Sequence, residues 1–164
     1  MGEDFTLDLA DEAATLNFGG SLAKAILPDL TIYLHGDLGA GKTTLVRGLL
    51  HGLGFVGKVK SPTYTLIEPY EIAANQGEPF NLYHFDLYRF NDEEEWEAAG
   101  FRDYFNADSV CLIEWPEKAV HILPKPDIDI RFDIKRSGRA VAVFAHSLRG
   151  RQCVQKIKKQ IELS

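Results

Sequence analysis

Gly36-Asp37-Leu38-Gly39-Ala40-Gly41-Lys42-Thr43 is the stretch that decides the fold. It spells G-x-x-x-x-G-K-T, the phosphate-binding loop of nucleoside triphosphatases. Leu30-Thr31-Ile32-Tyr33-Leu34 before it reads as a short buried strand, and Thr44 to Leu50 after it reads as the start of a helix. The motif requires that strand–loop–helix setting. Its glycines lack Cβ atoms, so the backbone can curl and aim successive N–H groups at phosphate oxygens. The helix N-terminus adds partial positive charge at the same point. Lys42 is placed to reach the β- and γ-phosphates, and the Thr43 hydroxyl to ligate Mg²⁺. Asp37, Leu38, Gly39, Ala40, Gly41 and Thr44 complete the expected cradle.

A triphosphatase also needs carboxylates near the metal and the attacking water. In parallel sheets, ligands collect at the C-terminal edge of the strands. Two acids stand at such edges. Asp86 closes the aromatic-rich strand that begins at Phe80, and Glu114 closes the apolar run Val110-Cys111-Leu112-Ile113. One should hold the metal and the other orient or deprotonate water; the sequence leaves the division open. Trp115 reads as a wall of the nucleotide pocket. Ser61 and Thr63, between the phosphate-loop helix and the next strand, occupy the place of a switch that senses the γ-phosphate. His35 and His84 carry no assigned catalysis. Arg89, just beyond Asp86, could pair with a phosphate or with a carboxylate of the acidic residues 92–95, and the ion pair is the favoured reading.

The 164 residues, 45% hydrophobic and 26% charged, suit one soluble domain covering 1–164. No stretch approaches a membrane span, and Met1-Gly2-Glu3-Asp4 lacks a signal peptide's basic region. Cys111 and Cys153 show neither metal nor redox spacing, so a cytoplasmic location is expected. Charge is uneven. Residues 131–164 hold nine basic and two acidic residues, +7, against −13 over the first 130. Leu148 to Leu163 reads as a basic amphipathic helix with an acidic partner, RNA or protein.

The spacing predicts a helix from Asp11 to about Leu27, with Leu16, Leu22, Ala23 and Ile26 on its apolar stripe. A strand is predicted in the second half of 61–67, a polar loop tip over 73–79, and a short helix from Asn91. A hairpin is predicted to join 127–134 to 139–145 through Ser137-Gly138. The fold class is α/β: a three-layer phosphate-loop NTPase sandwich with a mostly parallel central sheet and antiparallel edge strands.

Four motifs taken together resemble one family. They are the phosphate loop through Thr44, Ser61-Pro62-Thr63-Tyr64, His84-Phe85-Asp86-Leu87-Tyr88-Arg89 and Ile113-Glu114-Trp115-Pro116. In order and spacing, over about residues 5–145, they look like the TsaE (YjeE) family. That family is the bacterial ATPase needed to make threonylcarbamoyladenosine in tRNA. The resemblance implies ATP and Mg²⁺ as ligands and Thr43 and Glu114 at the metal, with Asp86 close by. It implies weak activity raised by TsaD-like and TsaB-like partners, and a hydrolysis cycle that resets their complex between rounds on tRNA. Two rivals fare worse. A small-molecule kinase needs an acceptor insertion and an Arg-bearing lid, for which only the short 70–79 loop and the Arg136–Arg139 hairpin are available. A GTP-binding switch would carry Asn-Lys-x-Asp, and no asparagine here precedes lysine.

Overall fold

A computed structural model describes residues 4–73, 78–98 and 100–163, with the side chains of 93, 95 and 98 left aside. Its strands are β1 (Phe5–Leu9), β2 (Leu30–His35), β3 (Ile67–Ile72), β4 (Phe80–Asp86), β5 (Ser109–Glu114), β6 (Ile128–Ile134) and β7 (Arg139–Ala145). The helices are α1 (Glu12–Ala23), α2 (Lys42–Gly52), α3 (Glu93–Ala98) and α4 (Leu148–Glu162), with 3₁₀ turns at Phe101–Tyr104 and Pro116–Ala119.

All seven strands form one sheet in the order β1-β7-β6-β2-β5-β4-β3. The central four, β6-β2-β5-β4, run parallel, while β1, β7 and β3 join antiparallel at the two edges. Side chains alternate faces along each strand. Ile32, Leu34, Leu82, Leu112 and Ile130 therefore pack under Leu22, Leu45, Leu49, Val154 and Ile157 of α1, α2 and α4. Tyr33, Phe85, Cys111 and Ile113 face the other way, under Trp96, Phe101 and Ala119. Two apolar layers cover one sheet, the three-layer architecture of phosphate-loop NTPases.

α1 lies against α2 at very short range. A Cβ on Gly48 would stand 2.4 Å from the Leu16 carbonyl oxygen, and one on Gly19 would stand 2.6 Å from that of Leu45. This contact sets the face α1 buries. Thr15, Phe18, Gly19 and Leu22 are inside, whereas Leu16 and Ala23 are only half-buried and the helix stops at Ala23. The expected stripe is therefore correct at Leu22, while Ile26 is buried beyond the helix end.

Two other segments differ from the sequence reading. Phe5–Leu9, unassigned from sequence, is an edge strand paired with β7. Residues 61–66 are loop, and the strand begins at Ile67, because Leu66 adopts a left-handed φ of 70°. Pro69 sits inside β3, which is tolerated because β3 is an edge strand. The expected loop tip over 73–79 lies largely outside the described residues. The hairpin through Ser137-Gly138 and the basic helix form as expected.

Candidate active site

The phosphate loop leaves β2 at His35 and enters α2 at Lys42. Gly36 has φ 147° and packs against Phe132 and Ala40, and Gly41, the N-cap of α2, has φ 113°. Both conformations favour a residue without Cβ. The α2 start also differs chemically from its neighbours. Asp11 accepts from the Ala14 N–H at the head of α1 (2.8 Å), and Ser147 accepts from the Gly150 N–H at the head of α4 (2.9 Å). Among the described residues no side chain caps α2. Its first N–H groups are open to an external acceptor, which is the arrangement an anion requires.

Lys42 is buried and donates to the Gly36 carbonyl at 2.5 Å, with its ammonium 3.9 Å from the centre of the Trp115 ring. Burial lowers its pKa from the ordinary lysine value, opposed by the charges of Glu114, Asp86, Glu117 and Asp37. The cation is thus held back inside the loop among carboxylates. Trp115 has φ 59°, turning the chain sharply at the end of β5, and its ring also meets Tyr88 at 4.9 Å. The indole therefore stands at the lysine end of the loop.

Glu114 and Asp86 are register partners at the C-terminal ends of neighbouring parallel strands. The Thr43 hydroxyl donates to Glu114 Oε2 at 3.1 Å, and His84 Nε2 lies 2.6 Å from the same oxygen. His84 is fully buried, and alternation places it on the Asp86 face of β4. Asp86 accepts the Tyr88 N–H at 3.0 Å. Burial raises the Asp86 pKa above the ordinary carboxylate value, the Tyr88 bond opposes it, and the Glu114 charge adds to the rise.

A hydroxyl and a buried carboxylate at hydrogen-bonding distance form a hard-oxygen donor pair of the kind Mg²⁺ prefers. Among the described residues, no group of three or more His, Cys, Asp or Glu could hold a metal ion.

The expected switch residues lie beyond the main cluster. Ser61 and Thr63 bond one another at 2.6 Å, and the far end of their loop is tied to Asp86, whose N–H donates to the Leu66 carbonyl at 2.9 Å. Arg89 lies 5.0 Å from the Tyr64 ring of that loop. Sequence reading gave no weight to a cleft of about 310 Å³ beside the loop, bounded by Asp11, Glu12, Thr15, Thr44, Gly138 and Arg139. Arg139 donates to the Gly39 carbonyl at 3.1 Å, fastening the β6–β7 turn to the phosphate loop. His84 also went unassigned. Its two-residue offset from Asp86 was the available signal.

The model of the family described as threonylcarbamoyl adenosine biosynthesis protein TsaE matches residues 9–141. Relatives of that description include one from Haemophilus influenzae, 47% identical over 157 residues and covering 93% of this chain and 96% of its own. Another, from Bacillus subtilis, is 43% identical over 111 residues, covering 68% and 65%. The crystal structure of Bacillus subtilis YdiB superimposes with a TM-score of 0.74 at 28% identity, covering 96% of both chains.

Proposed function

Because this chain belongs to the TsaE family, whose role lies in tRNA threonylcarbamoyladenosine biosynthesis, we propose that it binds Mg·ATP at the phosphate loop and hydrolyses it slowly. The observation that carries this reading is the convergence of the uncapped α2 N-terminus, Lys42, Thr43 and Glu114 on one point.

The loop N–H groups and the Lys42 ammonium bind the β- and γ-phosphates, and positive charge at the head of α2 favours them. Thr43 and Glu114 would hold the metal, which when bound would supply neutralisation of the charge developing on the phosphates. Asp86 orients a water in line with the γ-phosphorus and accepts its proton as the bond to the ADP oxygen breaks, leaving ADP and phosphate. Burial raises its pKa, the direction that makes a carboxylate a better proton acceptor. Trp115 shields Lys42 from solvent. The Arg139 cleft takes the nucleoside, since it opens directly beside Gly39 and Thr44. The 61–66 loop, tied to Asp86 through Leu66, reports the state of the γ-phosphate to a partner.

The partners are a TsaD-like transferase and a TsaB-like paralogue, with tRNA reached through their complex, and α4 supplies a basic surface to it. Its exposed Arg151, Lys156 and Lys159 support that assignment. The chain acts where those partners act, in the cytoplasm; among the described residues no helix is long and apolar enough to cross a membrane. The test is capture from cell extract with this chain as bait, in Mg·ATP and in Mg·ADP. Nucleotide-dependent recovery of the TsaD- and TsaB-like proteins is expected. Recovery of neither, with labelled γ-phosphate appearing on a metabolite, would favour a kinase instead.

A further inference from the structure

We propose that His84 is a positioning residue: its Nε2–H fixes the Glu114 carboxylate in the orientation that a divalent cation beside Thr43 requires. The inference rests on the Mg·nucleotide reading above and concerns a side chain that would touch neither metal nor nucleotide.

Three observations converge. His84 is fully buried, so water does not compete for its ring nitrogens. Its Nε2 lies 2.6 Å from Glu114 Oε2, the oxygen that also accepts from Thr43. Its Nδ1 is buried with no hydrogen-bond partner among the described residues. With a carboxylate as the only partner among the described residues, the proton belongs on Nε2, and the ring acts as a donor directed at one oxygen.

The orphaned Nδ1 argues against a packing role. A buried polar atom without a partner is destabilising, and an apolar side chain would fill the same space without that cost. What the imidazole supplies is a directional bond. The neighbours do not duplicate it. Lys42 is committed to the Gly36 carbonyl and the Trp115 ring, and the Asp86 carboxylate accepts from Tyr88. Without His84, the only remaining hydrogen bond to the Glu114 carboxylate among the described residues comes from Thr43, itself a proposed ligand of the cation. Both bonds fall on Oε2, so the carboxylate is oriented while Oε1 makes no hydrogen bond among the described residues. Outer partners of this kind typically account for 10–100-fold in metal affinity.

The test uses the full chain with His84→Leu and His84→Gln, the latter keeping an N–H donor near the Nε2 position. A fluorescent, non-hydrolysable ATP analogue is titrated in EDTA and then across a MgCl₂ series. For His84→Leu, affinity in EDTA should stay within about twofold of wild type, while the Mg²⁺ midpoint rises about 10–100-fold and His84→Gln restores most of it. An unchanged midpoint in His84→Leu, equal loss with and without Mg²⁺, or a glutamine variant as impaired as leucine would each overturn the proposal. The wild-type arm separates the two levels: no Mg²⁺ dependence there would mean the metal–nucleotide reading itself had failed, taking this inference with it.

Discussion

Glu114 and Asp129 are both gripped by histidine on the same sheet, yet they are gripped in opposite ways. Asp129 is saturated. His35 Nε2 reaches Oδ1 at 2.5 Å and His146 Nε2 reaches Oδ2 at 2.6 Å, which ties the end of β2, the start of β6 and the approach to α4 together. Glu114 takes its two bonds on one oxygen, and one of them comes from the first turn of the phosphate-loop helix. A short histidine–carboxylate contact therefore says little by itself. What separates a brace from a site is an oxygen left over and other groups converging on it.

The comparison breaks most visibly in turnover. Glu114→Ala should lower ATP hydrolysis at least about 100-fold, since metal-held charge stabilisation is worth several kcal/mol. Asp129→Asn should leave hydrolysis close to wild type. Phosphate release beside a thermal melt checks both, and a Glu114→Ala chain that fails to fold would make that residue structural.

Stability should show the reverse pattern. Burial pushes the Asp129 carboxyl upward, but hydrogen bonds and charge from His35 and His146 outweigh it, so the folded-state pKa lies below the ordinary 3.8. A group lowered on folding contributes stability that is fully present above its unfolded value and is lost as pH falls through the folded one. Asp129→Asn should cost about 1.5–3 kcal/mol near neutrality, the worth of a charge-assisted hydrogen bond. Urea melts should show that deficit shrinking below about pH 3.8. A constant difference down to pH 2 would reject the brace.

The smallest effect concerns one thiol under each face of the sheet. Burial pushes Cys111 and Cys153 up to about 12. Neither should react with a disulfide reagent at pH 8 in the folded chain, and both should react in denaturant. Rapid modification of one alone would mark its face as the one that opens.

What the sequence made legible was local. The phosphate loop carries its own geometry, and a carboxylate ending an apolar run announces a strand edge, so Lys42, Thr43, Asp86 and Glu114 were all in view. Elements decided by distant partners were not. Phe5–Leu9 becomes a strand only because β7, more than 130 residues later, offers it an edge. The buried face of α1 is chosen by the close approach of Gly19 and Gly48. His84 looked like any core histidine until the β4–β5 register set it beneath Glu114, and Arg139 became part of the site only when the β6–β7 turn reached Gly39. The 5.0 Å approach of Arg89 to the Tyr64 ring likewise depends on where the 61–66 loop settles.

The most direct test of the nucleotide site is calorimetric titration of Mg·ADP into wild type and Lys42→Ala. Losing a charge-assisted contact worth about 1.5–3 kcal/mol should weaken binding roughly ten- to two-hundredfold. Equal affinity in the two proteins would contradict the assignment of this loop as the nucleotide site.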